Sequence, residues 1–171
     1  MAVNSTDLLI DAFGRISECV GDVLDGLSGD QLVARVDAEA NSIGWLVWHL
    51  TRVQDDHVAG AAGLEQVWLT DGWQQRFQLP YAPEDIGYGQ SSADVAEFQG
   101  VSVRLLEQYH QAVLEQTRRY LKSLDEGDLD RVVDKSYRPP VTLAVRLISV
   151  VSDDLQHVGQ AAYVKGLLQR R

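Results

Sequence analysis

The residues best suited to chemistry lie in the last long apolar segment, "VVSDDLQHVGQAAYVKGLL", residues 150–168. Its spacing predicts a helix packed against apolar surface, yet Asp153 and His157 stand in its middle. Because successive helical residues turn by about 100°, these two side chains share one face, whereas Asp154 turns away from it. A carboxylate and an imidazole at this i, i+4 spacing can grip one metal ion. The same pair also occurs as an ordinary contact on a solvated helix.

A third ligand has to come from another helix, and His49 in "WLVWHLTRV" is the candidate. Two imidazoles and one carboxylate leave coordination positions open for water or substrate, which is typical of a catalytic zinc site. The sequence therefore predicts a divalent metal held by His49, Asp153 and His157. Zn²⁺ suits this set of ligands best, and iron and nickel accept the same ligands.

Four long segments with apolar residues at three- and four-residue steps predict the helices that position these ligands. The third is expected over residues 93–124, after a long irregular crossover over residues 64–92, and no window has the alternation of a strand. The pattern predicts one all-α domain over residues 1–171, an antiparallel four-helix bundle. The first helix is expected to begin after the cap candidates Ser5 and Thr6, the second at Asn41 or Ser42, and the fourth near Thr142.

Composition excludes several other classes of protein. The formal net charge of −10 argues against a nucleic-acid partner, because binding phosphates needs clustered Lys and Arg. The longest apolar run, "VTLAVRLISVV", is interrupted by Arg146 and is too short to span a membrane. No secretory signal is recognisable at the start, and the single Cys19 fits a reducing compartment. We therefore expect a cytoplasmic protein with no nucleic-acid or membrane partner, and a homodimer stays open.

Two stretches carry a resemblance to a known family. "NSIGWLVWHLTRVQDDHVAG" and "LISVVSDDLQHVGQAAYVKGL" resemble the two metal-bearing helices of the DinB/YfiT-like superfamily of four-helix bundles. The whole chain looks most similar to the actinobacterial mycothiol S-transferase branch. In that superfamily, one His on the second helix and an H-x3-H or E-x3-H pair on the fourth bind a divalent metal. His49, Asp153 and His157 stand at those positions, and Asp153 departs from the usual His or Glu.

The resemblance implies a detoxifying transferase that activates mycothiol as a thiolate at a divalent metal and conjugates it to an electrophile. A free thiol is only a few per cent ionised at neutral pH, so its pKa has to be lowered. For this activity we expect Asp56 to accept the thiol proton or to orient a water, because it lies close to the line of His49, and His57 is the second candidate for the same role. Arg52 and Arg146 are expected to bind a polar part of the thiol or an anionic electrophile.

Two other functions stay open at this point. A metal-dependent hydrolase of the same fold would activate water instead of a thiol. A metal-binding module would hold the ion without turnover. The sequence does not name the electrophile. It does predict that residues 64–92 border the mouth of the site, because a connection of this length inside a compact domain is usually functional.

Overall fold

The computed structural model describes residues 4–170, and most of them are helical. This confirms the all-α prediction. Four helices are long enough to span the molecule: α1 (Ser5–Leu24), α3 (Ile43–Ala62), α7 (Val103–Lys122) and α8 (Leu143–Leu168). Four short helices lie in the connections: α2 (Gly29–Val33), α4 (Val67–Thr70), α5 (Trp73–Phe77) and α6 (Ser92–Ala96).

Each long helix begins directly after a polar residue that caps it. The side-chain oxygen of the cap accepts a hydrogen bond from the backbone N–H three residues later, which would otherwise have no partner. The sequence predicted the starts of α1, α3 and α8 to within about two residues, although the cap of α1 is Asn4 and not Ser5 or Thr6. The four caps are Asn4, Ser42, Ser102 and Thr142.

Side-chain contacts fix the direction of neighbouring helices. Thr51 contacts His110, and further along both helices Gln54 donates to Thr117, so α3 and α7 run parallel. They are parallel because residues 63–102 carry the chain back along the bundle before α7 begins. The long crossover predicted from the sequence is therefore what separates this bundle from a simple up-and-down arrangement.

Helix α8 runs antiparallel to α3 and parallel to α1. Its middle residue His157 meets His49, and its first turns meet the end of α3, where Arg146 and Gly60 line one cavity. At the other end, Lys165 donates to the carbonyl of Asp22 near the end of α1. Packing on α3 brings the two metal-ligand segments face to face.

Two elements differ from the sequence prediction. The third helix, predicted as continuous over 93–124, is divided into α6 and α7, because Gly100 adopts a φ of 75° that ends regular helix and Ser102 caps a new one. A short antiparallel pair, β1 (Val132–Asp134) and β2 (Val141–Thr142), precedes α8. These strands are too short to produce an alternating pattern, so the prediction of no strand was wrong.

The core is densest around α3, which is buried on nearly all sides. Trp48 is completely buried and packs against Trp68, Tyr81 and Phe98, all of them outside α3. These aromatic contacts fix the crossover on α3 and so determine what lies above the metal ligands. Among residues 4–170, no helix combines the length and the apolar character needed to cross a bilayer.

Candidate metal centre

The three predicted ligands converge between α3 and α8. His49, Asp153 and His157 each offer a ligand atom, and these atoms all lie within 4.8 Å of one another. His157 Nε2 is 3.6 Å from Asp153 Oδ1. The His49 and His157 rings meet edge to face, with their centroids 4.6 Å apart. The structure therefore brings together the set that helical spacing selected.

Hydrogen bonds on the far side of each imidazole fix its tautomer. His49 Nδ1 contacts the Ile86 carbonyl, and His157 Nδ1 lies 3.1 Å from Gln160 Oε1. Both partners are oxygen acceptors, so each Nδ1 must donate its hydrogen. The lone pair of each ring is left on Nε2, as expected for a histidine prepared to bind a metal.

Asp153 completes the set with a carboxylate that is incompletely paired. Its Oδ2 is buried and has no hydrogen-bond partner within residues 4–170. Burial by itself would raise the pKa of Asp153, but the hydrogen bond with His157 and the nearby imidazole charges lower it. A buried carboxylate oxygen without a partner costs free energy unless a cation meets it. The residues present therefore fit a divalent metal.

The two imidazoles differ in their protonation. Burial lowers the pKa of His49, which favours its neutral form with a free lone pair. The hydrogen bond with Asp153 raises the pKa of His157, since a proton is what holds that pair together when no cation is bound. A divalent ion between the two would replace this proton, so binding of metal is expected to release protons.

Asp154 lies next to the ligand Asp153 but in a different environment. It is completely buried, and neither carboxylate oxygen has a hydrogen-bond partner in the described part of the chain. Burial, followed by repulsion from Asp153, raises the pKa of Asp154 well above its ordinary value. Burial therefore favours the neutral form of this carboxyl, and Asp154 does not belong to the ligand group.

The crossover forms one wall of the centre, as the sequence predicted for this segment. Trp45 stacks on the His49 ring at 4.8 Å, and the exposed Tyr88 meets that ring edge-on. Gly87 between them has a φ of 94°, and a Cβ at this position would lie 2.7 Å from His49 Nδ1. Glycine is required here for both backbone conformation and space. Sequence reasoning missed this role, and its one signal was the pair of glycines in "GYG".

A polar cavity of about 280 Å³ opens where the end of α3 faces the start of α8, and none of the three ligands is among the residues that line it. Asp56, His57 and Arg146 line the cavity, which brings together three of the four residues expected at the site. Asp56 and Arg146 each lie seven residues, about 10 Å of helix, from His49 and Asp153 respectively.

His57 Nδ1 lies 2.8 Å from Asp56 Oδ2, and this hydrogen bond lowers the pKa of Asp56. Arg146 is held by Asp134 of β1 at 2.9 Å. The cavity thus offers a carboxylate–imidazole pair and a guanidinium.

Comparison with known proteins supports the resemblance drawn from the sequence. A family model described as mycothiol-S-transferase matches residues 9–169. The chain belongs to the mycothiol-S-transferase family. This confirms the DinB/YfiT-like resemblance carried by the two histidine-bearing helices.

The fold is also that of a solved bacterial structure. A conserved protein from Enterococcus faecalis superposes with a TM-score of 0.92 at 28% sequence identity, over 99% of this chain and 100% of the other. No curated protein matches the chain.

Arg52 was expected to bind substrate, and the structure corrects that expectation. Its guanidinium is completely buried, donates to Gln66 Oε1 at 2.8 Å and to the Asp85 carbonyl at 3.2 Å, and lies over the Trp68 ring. A substrate has no access to a group enclosed in this way. Helical spacing placed Arg52 near the His49 face, but the crossover folds over this part of α3.

Proposed function

We propose that this protein is a divalent-metal-dependent mycothiol S-transferase in which His49, Asp153 and His157 hold the ion. The observation that supports this most is the convergence of His49, Asp153 and His157, whose ligand atoms all lie within 4.8 Å of one another. The Oδ2 of Asp153 is buried without a partner in residues 4–170, and each imidazole keeps Nε2 for a metal because its Nδ1 faces an oxygen acceptor. Zn²⁺ suits these ligands best. When bound, a divalent cation would supply the positive charge that lowers the pKa of a thiol and favours the thiolate.

The cavity lined by Asp56, His57 and Arg146, about two helical turns from the ligands, is the proposed place for the polar part of the thiol. Arg146 is oriented by Asp134 and retains further N–H groups that can donate to hydroxyl or carboxylate oxygens. The charged and polar side chains of Asp56, His57 and Arg146 line the cavity together with Ala61 and Val133. Such a surface suits a hydroxyl-rich thiol better than an apolar one.

The Asp56–His57 pair is proposed to accept the thiol proton. As the S–H bond breaks, the proton moves to His57 Nε2, because Nδ1 is already hydrogen-bonded to Asp56. The carboxylate of Asp56 then stabilises the imidazolium. The thiolate sulfur forms a bond to a carbon atom of the electrophile. The bond between that carbon and its leaving group breaks, and its electron pair departs with the leaving group. Protons and electrons balance without an oxidant or a reductant.

The test is thiol conjugation with and without a chelator. Purified protein, mycothiol and monochlorobimane should give conjugate faster than the uncatalysed reaction, and chelation followed by Zn²⁺ addition should remove and restore this rate. His57→Gln should lower kcat by about a hundredfold while the metal content stays unchanged. His157→Gln should lose the metal and the activity together.

Two outcomes would contradict the proposal. Turnover of esters or amides without any thiol would favour a metal-dependent hydrolase. If stoichiometric metal is present and neither reaction occurs, the protein would be a metal-binding module without turnover.

A further inference from the structure

Two exposed tyrosines lie on the connections that surround the metal centre. Tyr88 of the crossover is 65% exposed, and its ring lies 5.6 Å from the His49 ring at an angle of 81°. Tyr137, in the turn between β1 and β2, is 61% exposed. Among residues 4–170, Tyr163 is the one other aromatic residue exposed to this degree. Exposed rings are therefore rare in this chain, whose other aromatic side chains are wholly or partly buried.

The strand pair carries Tyr137 toward the metal ligands. It runs beside the first turns of α8, since β2 leads directly into that helix and Asp134 of β1 accepts a hydrogen bond from Arg146 at 2.9 Å. The three residues from Asp134 to Tyr137 can span up to about 10 Å, and the seven helical residues from Arg146 to Asp153 span about the same length. Partial burial, then Asp153 and Tyr137, raise the pKa of Tyr88, which agrees with this placement of the two phenols beside the ligand carboxylate.

Hydrogen-bonded loops hold both tyrosines in place. On the crossover, the Asp85 carboxylate accepts from the Gly87 N–H at 2.7 Å and from Gln90 Nε2 at 2.8 Å, on either side of Tyr88. At the strand pair, Asp134 accepts from the backbone N–H directly before the second tyrosine. Neither phenol hydroxyl has a hydrogen-bond partner in the described part of the chain. The rings are thus preorganised, and a ligand between them displaces none of the chain's own hydrogen bonds.

Charge and shape determine which ligand such a pair suits. Two aromatic rings can surround a cation or stack on a planar ring. Positive charge nearby disfavours a cation: Arg146 lies beside the strand pair, and Lys135 and Arg138 are close neighbours of Tyr137 in the chain. The faces of phenol rings carry partial negative charge, so an electron-poor aromatic ring stacks on them best.

We propose that Tyr88 and Tyr137 form the binding site of the electrophile and select an electron-poor aromatic ring, which lies between the two phenols. This inference rests on the proposed function and names the class of electrophile that the thiol attacks. A ring held by Tyr88 is adjacent to the metal centre, because Tyr88 contacts His49. Its reacting carbon is therefore close to a sulfur at the ligand group, while the cavity around Arg146 stays available for the rest of the thiol.

The test compares conjugation of mycothiol to 1-chloro-2,4-dinitrobenzene, which is planar and electron-poor, and to iodoacetamide, which has no ring. Tyr137→Ala should raise KM for the aromatic electrophile by about tenfold and leave its kcat and both constants for iodoacetamide unchanged. Tyr137→Phe should behave like wild type, because stacking does not need the hydroxyl. Tyr163→Ala is the matched control, since Tyr163 is 67% exposed but lies ten residues, about 15 Å of helix, beyond Asp153. All of its constants should stay unchanged.

Equilibrium dialysis without thiol separates this inference from the proposed function. Wild type should bind 1,3-dinitrobenzene, which has no leaving group, more tightly than nitrocyclohexane, whose ring is not planar. Tyr137→Ala should lose that preference and keep the metal content of wild type. If the protein binds dinitrobenzene through Tyr137 and conjugates neither electrophile, the proposed function is wrong and the aromatic site stands.

Two results would overturn the aromatic site. One is a Tyr137→Ala variant whose KM is unchanged for 1-chloro-2,4-dinitrobenzene, or is raised equally for both electrophiles. The other is equal binding of dinitrobenzene to wild type and to Tyr137→Ala, and conjugation of mycothiol by wild type would then leave the proposed function intact.

Discussion

Two charged clusters share helix α3 and differ in how completely they are paired. In the first, Asp55 accepts hydrogen bonds from the backbone of Val67 and Trp68 and from the Tyr109 hydroxyl, and it lies 3.7 Å from Arg52. In the second, the Oδ2 of Asp153 has no partner within the described residues. Both carboxylates lie between helices, but only the first has its hydrogen bonds satisfied.

The difference separates a structural role from a binding role. The Asp55 cluster ties the crossover to α3, and each of its polar groups is used within the chain, so no ligand is needed. In the cluster of His49, Asp153 and His157, the Nδ1 atom of each imidazole faces an oxygen acceptor. The ligand atoms that face one another are used less completely, since Asp153 Oδ2 has no partner within residues 4–170. Removing a side chain should therefore affect folding in the first cluster and metal binding in the second.

The largest effect is expected at the metal ligands. His157→Ala should abolish retention of metal through dialysis, because only His49 and Asp153 would remain. Asp154→Asn should retain the metal, since Asp154 is buried apart from the ligand group and burial favours its neutral form. Elemental analysis of both variants measures this. Equal loss of metal in the two would show that the ligand face of α8 is wrong.

The next effect concerns the paired cluster. Asp55→Ala should lower the free energy of unfolding by about 3–5 kcal/mol, since it leaves the buried Arg52 guanidinium without its counter-charge. The adjacent Asp56→Ala is the matched control and should cost about 1 kcal/mol or less, because Asp56 is half-exposed. Urea unfolding of both variants without metal measures the difference. Similar values would mean that the Asp55 cluster does not hold the crossover.

A pH dependence follows from a buried histidine between α3 and α7. The Thr51 hydroxyl donates to the Val47 carbonyl and so can only accept from His110 Nδ1. Burial lowers the pKa of His110 from 6.5 to about 4. Between these values the unfolded chain takes up a proton that the folded chain excludes. The contribution of neutral, buried His110 to the free energy of unfolding is therefore present above pH 6.5 and is lost as the pH falls toward 4.

This loss should amount to about 3 kcal/mol across the window. Urea unfolding of the metal-free protein between pH 7 and pH 4 measures it. His110→Gln should remove this part of the pH dependence, whereas contributions from the other histidines stay the same in both proteins. Identical pH profiles would contradict the assignment to His110.

The smallest effect is expected from the wall of the centre. Gly87→Ala should weaken metal binding by about 10- to 100-fold, because the new methyl group collides with His49 and separates it from the Ile86 carbonyl. Gly89→Ala is the control: its φ of 73° imposes similar backbone strain, but a Cβ there has no neighbour within 4 Å. Metal titration of the two variants compares them. Equal weakening would attribute the effect to backbone strain instead of the contact with His49.

The sequence predicts what depends on local spacing. The pairing of Asp153 with His157 follows from helical geometry, and the choice of His49 follows from its place in a second apolar helix. The capping residues Ser42 and Thr142 mark where both helices start. These signals predicted the bundle and selected His49, Asp153 and His157 as a candidate ligand group, and the resemblance to a metal-binding superfamily strengthened that choice.

The sequence does not predict what depends on how distant segments meet. Arg52 lies near the His49 face in helical projection, and only the folded crossover shows that it is enclosed by Gln66 and Asp85. The role of Gly87 has the same origin, since its contact with His49 joins two separate segments. The two strands before α8 pair across a turn, and each has too few residues to show the alternation of apolar and polar residues that identifies a strand.

The central claim is tested most directly by titrating Co²⁺ into metal-free wild-type protein and recording its visible absorption. We expect one ion per chain, with bands typical of imidazole and carboxylate ligands that shift when a thiol is added. The bands should be absent in the His157→Ala variant. No saturable binding in wild type, or the same spectrum in the variant, would contradict a metal centre formed by His49, Asp153 and His157.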